Sequence, residues 1–215
     1  MRKRMAVIVP LLVAAAGAEI IDRIVVSVGG RVITTTDLEG EIRVAAFLNG
    51  VKPDLTPRGK RATAERMVEQ LLVKEELETS RYPVPGPSDI ERALDEFKEK
   101  NFPDDAAYRK ALADYGITVQ DVKDQLLWER TLLEFIDVRF RPGVQVSDRD
   151  IQEYFDTVVA PAARAAHPGQ PVALEDFRSQ IEQTLTGQRE DRDMDAWLRQ
   201  ARNRTQIVYH DEALQ

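Results

Sequence analysis

Apolar positions follow two rhythms along the chain, a brief alternation near its start and helical spacing over most of the remainder. Ile24, Val26 and Val28 alternate with Arg23, Val25 and Ser27; Gly29-Gly30 follows, then Arg31-Val32-Ile33-Thr34. Two glycines between β-branched runs signal a two-residue turn, because both central residues of such a turn can need positive φ. A hairpin is therefore expected. Near the other end, Thr205-Gln206-Ile207-Val208-Tyr209 reads as a short strand. A lone hairpin is marginal in water, so this strand is expected to pair with it and tie the chain ends together.

Helix signals fill the interval. Thr36-Asp37-Leu38-Glu39 reads as a capping box, followed by Leu38, Ile42, Ala45 and Ala46 at helical spacing, and Asn49-Gly50 ends that helix. A second helix is expected from about Pro57 to Ser80, with Ala64, Met67, Val68, Leu71 and Leu72 on one face. Ser88-Asp89-Ile90-Glu91 opens a third helix, Pro103-Asp104 a fourth that stops at Gly116, and Thr118-Val119-Gln120-Asp121 a long fifth one reaching about Phe140. The fifth carries two apolar stripes, Val122/Leu126/Leu133/Ile136/Phe140 and Trp128/Leu132/Phe135, and a helix apolar on two sides packs between neighbours or lines a groove. Ser147 to Asp150 starts a short helix with Ile151, Tyr154 and Phe155. Residues 160–171, with Pro161, Pro168, Gly169 and Pro171, read as a linker, and a last helix is expected over Leu174 to Asn203. Trp128 and Trp197 are expected as core anchors. The predicted fold is mainly α, a multi-helix module with a small β-sheet made of the N-terminal hairpin and the C-terminal strand. Its parts are a hairpin and helical region over residues 19–159, the linker, and residues 172–215 packing back on the first part.

The first eighteen residues stand outside this pattern. Arg2, Lys3 and Arg4 precede the apolar stretch Met5–Ala16, and Ala16-Gly17-Ala18 offers small residues to a signal peptidase. The stretch is short for a helix that must cross about 30 Å of hydrocarbon, so an exported protein with a cleaved leader is preferred over a retained anchor. Export predicts a periplasmic location, without stable membrane insertion after cleavage. Loss of Arg2, Lys3 and Arg4 takes the formal net charge from −7 to −10. That balance argues against a general nucleic-acid binder, which needs a basic face. The chain has no cysteine, so disulfides, thiol catalysis and cysteine zinc sites are excluded and the fold must rest on packing.

Catalytic signatures are weak. The two histidines, His167 and His210, fall in the linker and the tail, where no rigid element is expected to orient them as bases. Asp191, Asp193 and Asp195 alternate like a calcium loop, but Ala196 stands where that loop needs glycine. Gly59-Lys60 lacks the spacing and the hydroxyl residue of a phosphate loop. Asn203-Arg204-Thr205 is a glycosylation sequon of the kind that arises by chance. Asp104-Asp105 and Asp148/Asp150 lie at helix starts, where acids complement the helix dipole. No catalytic residue, cofactor or metal is implied. Phe47, Leu48, Phe102, Tyr108 and Tyr115, near helix ends, are the candidates for a surface that holds apolar polypeptide, with core packing as the alternative.

The segment from Ile21 to Leu38 resembles the opening of SurA-type periplasmic chaperones, whose helical module shares its fold with the peptide-binding part of trigger factor. Val146-Ser147-Asp148-Arg149-Asp150-Ile151-Gln152-Glu153-Tyr154-Phe155 is similar to that family's helix before its parvulin insertion. The stretch from Leu174-Glu175-Asp176-Phe177 through Trp197-Leu198 to Ile207-Val208-Tyr209 is similar to its closing helix and returning strand. Members usually carry one or two parvulin domains between these segments, and here only the linker occupies that place. The resemblance implies an ATP-independent chaperone for unfolded outer-membrane or secreted polypeptides, and no prolyl-isomerase activity. An adaptor for one folded envelope protein and a degenerate isomerase are the competing readings.

Overall fold

The computed structural model describes residues 22–215; the leader expected over residues 1–18 lies outside them. The described chain is mainly helical, with one small antiparallel sheet. Strands β1 (Ile24–Val28) and β2 (Arg31–Thr34) form the hairpin, and β3 (Ile207–Tyr209) joins the other edge of β1, giving the order β2-β1-β3. Ser27 thus lies opposite Val32 on one side and Val208 on the other. Only the first turn glycine is left-handed: Gly29 has φ +56°, and Gly30 is not positive.

The strict alternation expected for β1 fails at its start. The register slips between Ile24 and Val26, so Val25 is an extra residue in the ladder. A bulge of this kind turns two successive side chains toward one face. Val25 and Val26 are both fully buried, and Ile24, expected on the inner face, is 43% exposed.

Helix α1 (Thr35–Leu48) follows β2 without a loop. Its cap is Thr34, two residues before the expected Thr36. The Thr34 amide donates to the Asp37 carboxylate at 3.0 Å, and the Asp37 amide donates to the Thr34 hydroxyl at 3.2 Å. Three consecutive threonines hide this offset in the sequence. Helix α2 spans Pro57–Thr79. Helix α3 (Pro87–Asn101) also starts early, with the Gly86 amide donating to Asp89 and Pro87 in the first turn, where its missing N–H costs nothing. Helix α4 (Asp105–Tyr115) is capped by Asp104 and ends at Gly116, whose φ of +66° suits glycine. Helix α5 (Val119–Arg139) starts where expected, with a capping box between Thr118 and Asp121.

The next stretch corrects the expected linker. Helix α6 (Asp148–Tyr154) runs through a π-helical turn, Phe155–Val159, into α7 (Ala160–Ala166). Pro161 gives no N–H and crowds the carbonyl four residues back. The widened turn ahead of it, in which the Ala160 amide bonds to the Phe155 carbonyl, takes up that mismatch. Only residues 167–173 lack helix, and after a short 3-10 turn, Leu174–Asp176, helix α8 covers Arg178–Arg204.

Three cores result. The first lies under the sheet and joins Val25, Val26, Leu38, Val68, Phe135 and Trp197 with Ala213 and Leu214. The second gathers Val44, Phe47, Leu94, Tyr108, Leu112 and Val122. The third holds Ile151, Phe155, Ala160 and Ile181. Helix α5 serves the first two from its two ends, Val122 and Leu126 packing in the second core and Trp128, Leu132, Phe135 and Ile136 in the first, although Leu133, expected within one stripe, is 65% exposed. Trp197 is buried as expected. Trp128 is only partly so, with the Lys74 ammonium 5.2 Å from its ring centroid.

Removal of residues 205–215 is expected to lower the melting temperature of the whole chain, because β1 loses a partner strand and the first core loses Leu214. Leu214→Ala alone should cost about 2–5 kcal/mol in urea unfolding, the range for truncating a buried leucine.

Asp150 gives a pH prediction. Hydrogen bonds from the Ser147 amide and hydroxyl, with Arg189 nearby, lower its pKa to about 2. A carboxylate depressed on folding stabilises above its unfolded value, near 4, and that contribution fades as pH falls toward 2. Asp150→Asn should therefore lower stability at neutral pH and flatten the pH dependence of the melting temperature between about 4 and 2.

Candidate functional site: an apolar groove beside a π-helical turn

The five residues singled out from the sequence do come together. Phe47, projecting from α1, meets the rings of Phe97 and Phe102 at 5.7 Å, Tyr115 at 5.5 Å and Tyr108 at 6.1 Å between centroids. Leu48 packs at the edge of the same cluster. Phe47 and Tyr108 are each 4% exposed. They are core residues, and the surface role expected for them is replaced by packing between α1, α3, α4 and α5. Burial pushes the Tyr108 phenol up, and its hydroxyl has no partner. The Tyr115 hydroxyl donates to the Val51 carbonyl at 2.8 Å, which fixes the loop after α1. Leu48, Phe102 and Tyr115 are half-buried around this centre. Phe102 also borders a shallow depression, but one ringed by Asp95, Lys98, Glu99, Asp104 and Asp105, a poor surface for apolar side chains.

A more apolar concavity lies elsewhere, between the α6–α7 run and the first half of α8. It encloses about 470 Å³, within the range that takes a few side chains of a bound chain. One wall is Tyr154, Val158, Ala162 and Ala166, four residues at a spacing of four, with Val159 and Ala163 beside them. The other is Phe177, Gln180, Ile181 and Thr184, and His167 closes one end. No Asp, Glu, Lys or Arg side chain lines it. Thr184 donates to the Gln180 carbonyl at 2.8 Å within its own helix. Ile181 is its buried lining residue, and Val158 stays 47% exposed.

The groove depends on the π-helical turn. π-helical turns inside α-helices occur often at functional sites, because the widened turn re-aims the side chains that follow it. Here it falls between Tyr154 and Ala162. The groove escaped the sequence reading because the prolines around it read as linker. The spacing of Tyr154, Val158, Ala162 and Ala166 was the signal that could have found it.

His210 also differs from expectation. Rather than lying free in the tail, it donates its amide to the Val25 carbonyl at 2.8 Å, and its Nε2 lies 3.3 Å from the Ser27 hydroxyl. Glu212 stands 4.0 Å from Nδ1, beyond hydrogen-bond reach. The trio resembles a nucleophile–base–acid row in order only; it sits on the outer face of the sheet and fastens β3 to β1. Gly59 has a structural reason as well, since a Cβ there would collide with the Asp54 carbonyl. Asp191, Asp193 and Asp195 lie within α8, and the described residues hold no cluster of three or more potential metal ligands. No helix among the described residues is long and apolar enough to cross a membrane.

The fold and the groove define a mainly helical module with a small closing sheet and an apolar cleft. No protein-family model matches the chain, and no curated protein matches its sequence.

Phe47→Ala tests the reassignment of the aromatic cluster. As a core truncation it should cost about 3–5 kcal/mol of unfolding free energy. A surface residue would lose less than about 0.5 kcal/mol on the same substitution.

Proposed function

We propose that the protein is an ATP-independent holdase that binds unfolded or extended polypeptides in the periplasm, with outer-membrane protein precursors as its principal clients. The observation that carries the reading is the groove itself: an apolar concavity on a chain in which 31% of residues are charged. Apolar side chains of a client would leave water against Val158, Tyr154 and Phe177, at roughly 25 cal/mol per Å² of surface removed. Such contacts ask for no particular sequence. They also need no nucleotide, since each is weak and exchanges freely. The acidic exterior keeps the loaded protein soluble. Outer-membrane precursors fit because their strands alternate apolar and polar residues, which places an apolar side chain on one face at every second position. The likeness of Ile21–Leu38 to the opening of SurA-type chaperones, and of Val146–Phe155 to their helix before the parvulin insertion, points to the same client class.

Val158→Asp tests the reading. Val158 is exposed enough for the change to spare the core, and it places a charge in the groove. The expected result is that the wild-type protein suppresses aggregation of an unfolded outer-membrane protein without ATP, while the variant binds it about tenfold or more weakly at unchanged melting temperature, as a charge in an apolar contact requires. Equal suppression by both proteins would overturn the assignment of the site, and no suppression by the wild type would overturn the function.

A further inference from the structure

Helix α8 changes core in its middle. Ile181 and Leu185 pack with the core beneath the groove, whereas Met194, Trp197, Leu198 and Ala201 pack with the core under the sheet. Gly187 falls between the two sets and is the one glycine of the helix. A Cβ at this position would meet nothing within 4 Å, and its φ is not positive, so neither packing nor backbone shape calls for glycine. Glycine in a helix interior weakens it relative to alanine.

The second covalent link between the groove-bearing part and the rest is the segment from Arg141 to Ser147. It is a 3-10 turn, Arg141–Gly143, followed by four residues without regular structure. Gly143 likewise has open space where a Cβ would stand. Helix α6 finds its substantial packing in the π-helical turn and in α8, and α7 in the π-helical turn. The groove part is therefore joined to the body at two crossings, each with a glycine that packing does not require. Arg189, two residues beyond Gly187, reaches back across the boundary. Its guanidinium donates to the Gln145 carbonyl and pairs with the Asp150 carboxylate at 3.0 Å. Asp150 completes the capping box that Ser147 opens on α6, the first helix on the far side.

We propose that Gly187 and Gly143 form a hinge and that Arg189 is its latch, so that residues 148–186 swing as one lobe against the body. Both walls of the groove belong to that lobe, so the motion carries the groove intact and changes how far it stands from the body. Gly143 stands at the element-terminal kind of position where hinges absorb a backbone change, Gly187 adds a weak point inside α8, and a single surface-accessible ion pair is a latch weak enough to release.

The test needs no client, so it succeeds or fails independently of the holdase reading. The chain has no cysteine, so Glu96→Cys on α3 and Glu153→Cys on α6 can carry a spin-label pair in the full protein. Electron–electron distance distributions are compared for the otherwise unaltered protein, Arg189→Ala, and Arg189→Ala with Gly187→Ala. Arg189→Ala is expected to add a longer-distance population, and Gly187→Ala in that background to remove it. An unchanged distribution in Arg189→Ala overturns the hinge, and so does a second population that survives Gly187→Ala. Amide exchange across Ile151–Phe155 should stay slow in all three proteins; its loss in Arg189→Ala would mean that the lobe melts rather than swings, which also contradicts the proposal.

Discussion

The packing of α8 into two separate cores is the constraint on which the rest of the structure depends. Its C-terminal half places Trp197 against Phe135 at 5.5 Å between centroids and buries Ala201 under the sheet. That docking delivers β3 to the free edge of β1, so the marginal hairpin becomes a three-stranded sheet with a covered inner face. Its N-terminal half, through Ile181 and Leu185, supplies the surface on which α6 and α7 fold. With no disulfide to hold the chain, this one helix both closes the ends and erects the groove.

Much of this was legible in the sequence. The hairpin, the helix starts at Thr118 and Ser147, the long α5 and the returning strand follow from local spacing and capping chemistry, which the sequence states directly. The failures have physical causes. Three threonines in a row offered several caps, and the one chosen by the structure, Thr34, is the one that lets β2 run straight into α1. The bulge at Val25 lies in the pairing of β1 with β2, and register is a property of neighbouring strands, not of one strand's own sequence.

The site was harder to see than the fold. Aromatic residues near helix ends suggested an open surface around Phe47, yet four rings within about 6 Å satisfy one another there and close it. Conversely, prolines at 161, 168 and 171 suggested a linker, and only the π-helical turn shows how a helix passes Pro161. Propensity reasoning judges each residue against an ideal α-helix, and it is blind to a wider turn that makes a proline tolerable. The groove that results is apolar because alanines and valines stand where a linker would carry polar groups.

These features make one account. In the proposed reading, the body closed by α8 presents a small lobe whose apolar groove would take up apolar segments of unfolded chains, while a net charge of −7 would keep the surroundings solvated. The most direct measurement is site-specific photocrosslinking of the full protein to an unfolded outer-membrane protein, with benzoylphenylalanine placed at Ala163 in one sample and at Phe102 in another. The account predicts efficient capture from position 163 and little from position 102. Capture from 102 alone, or from neither, would contradict it.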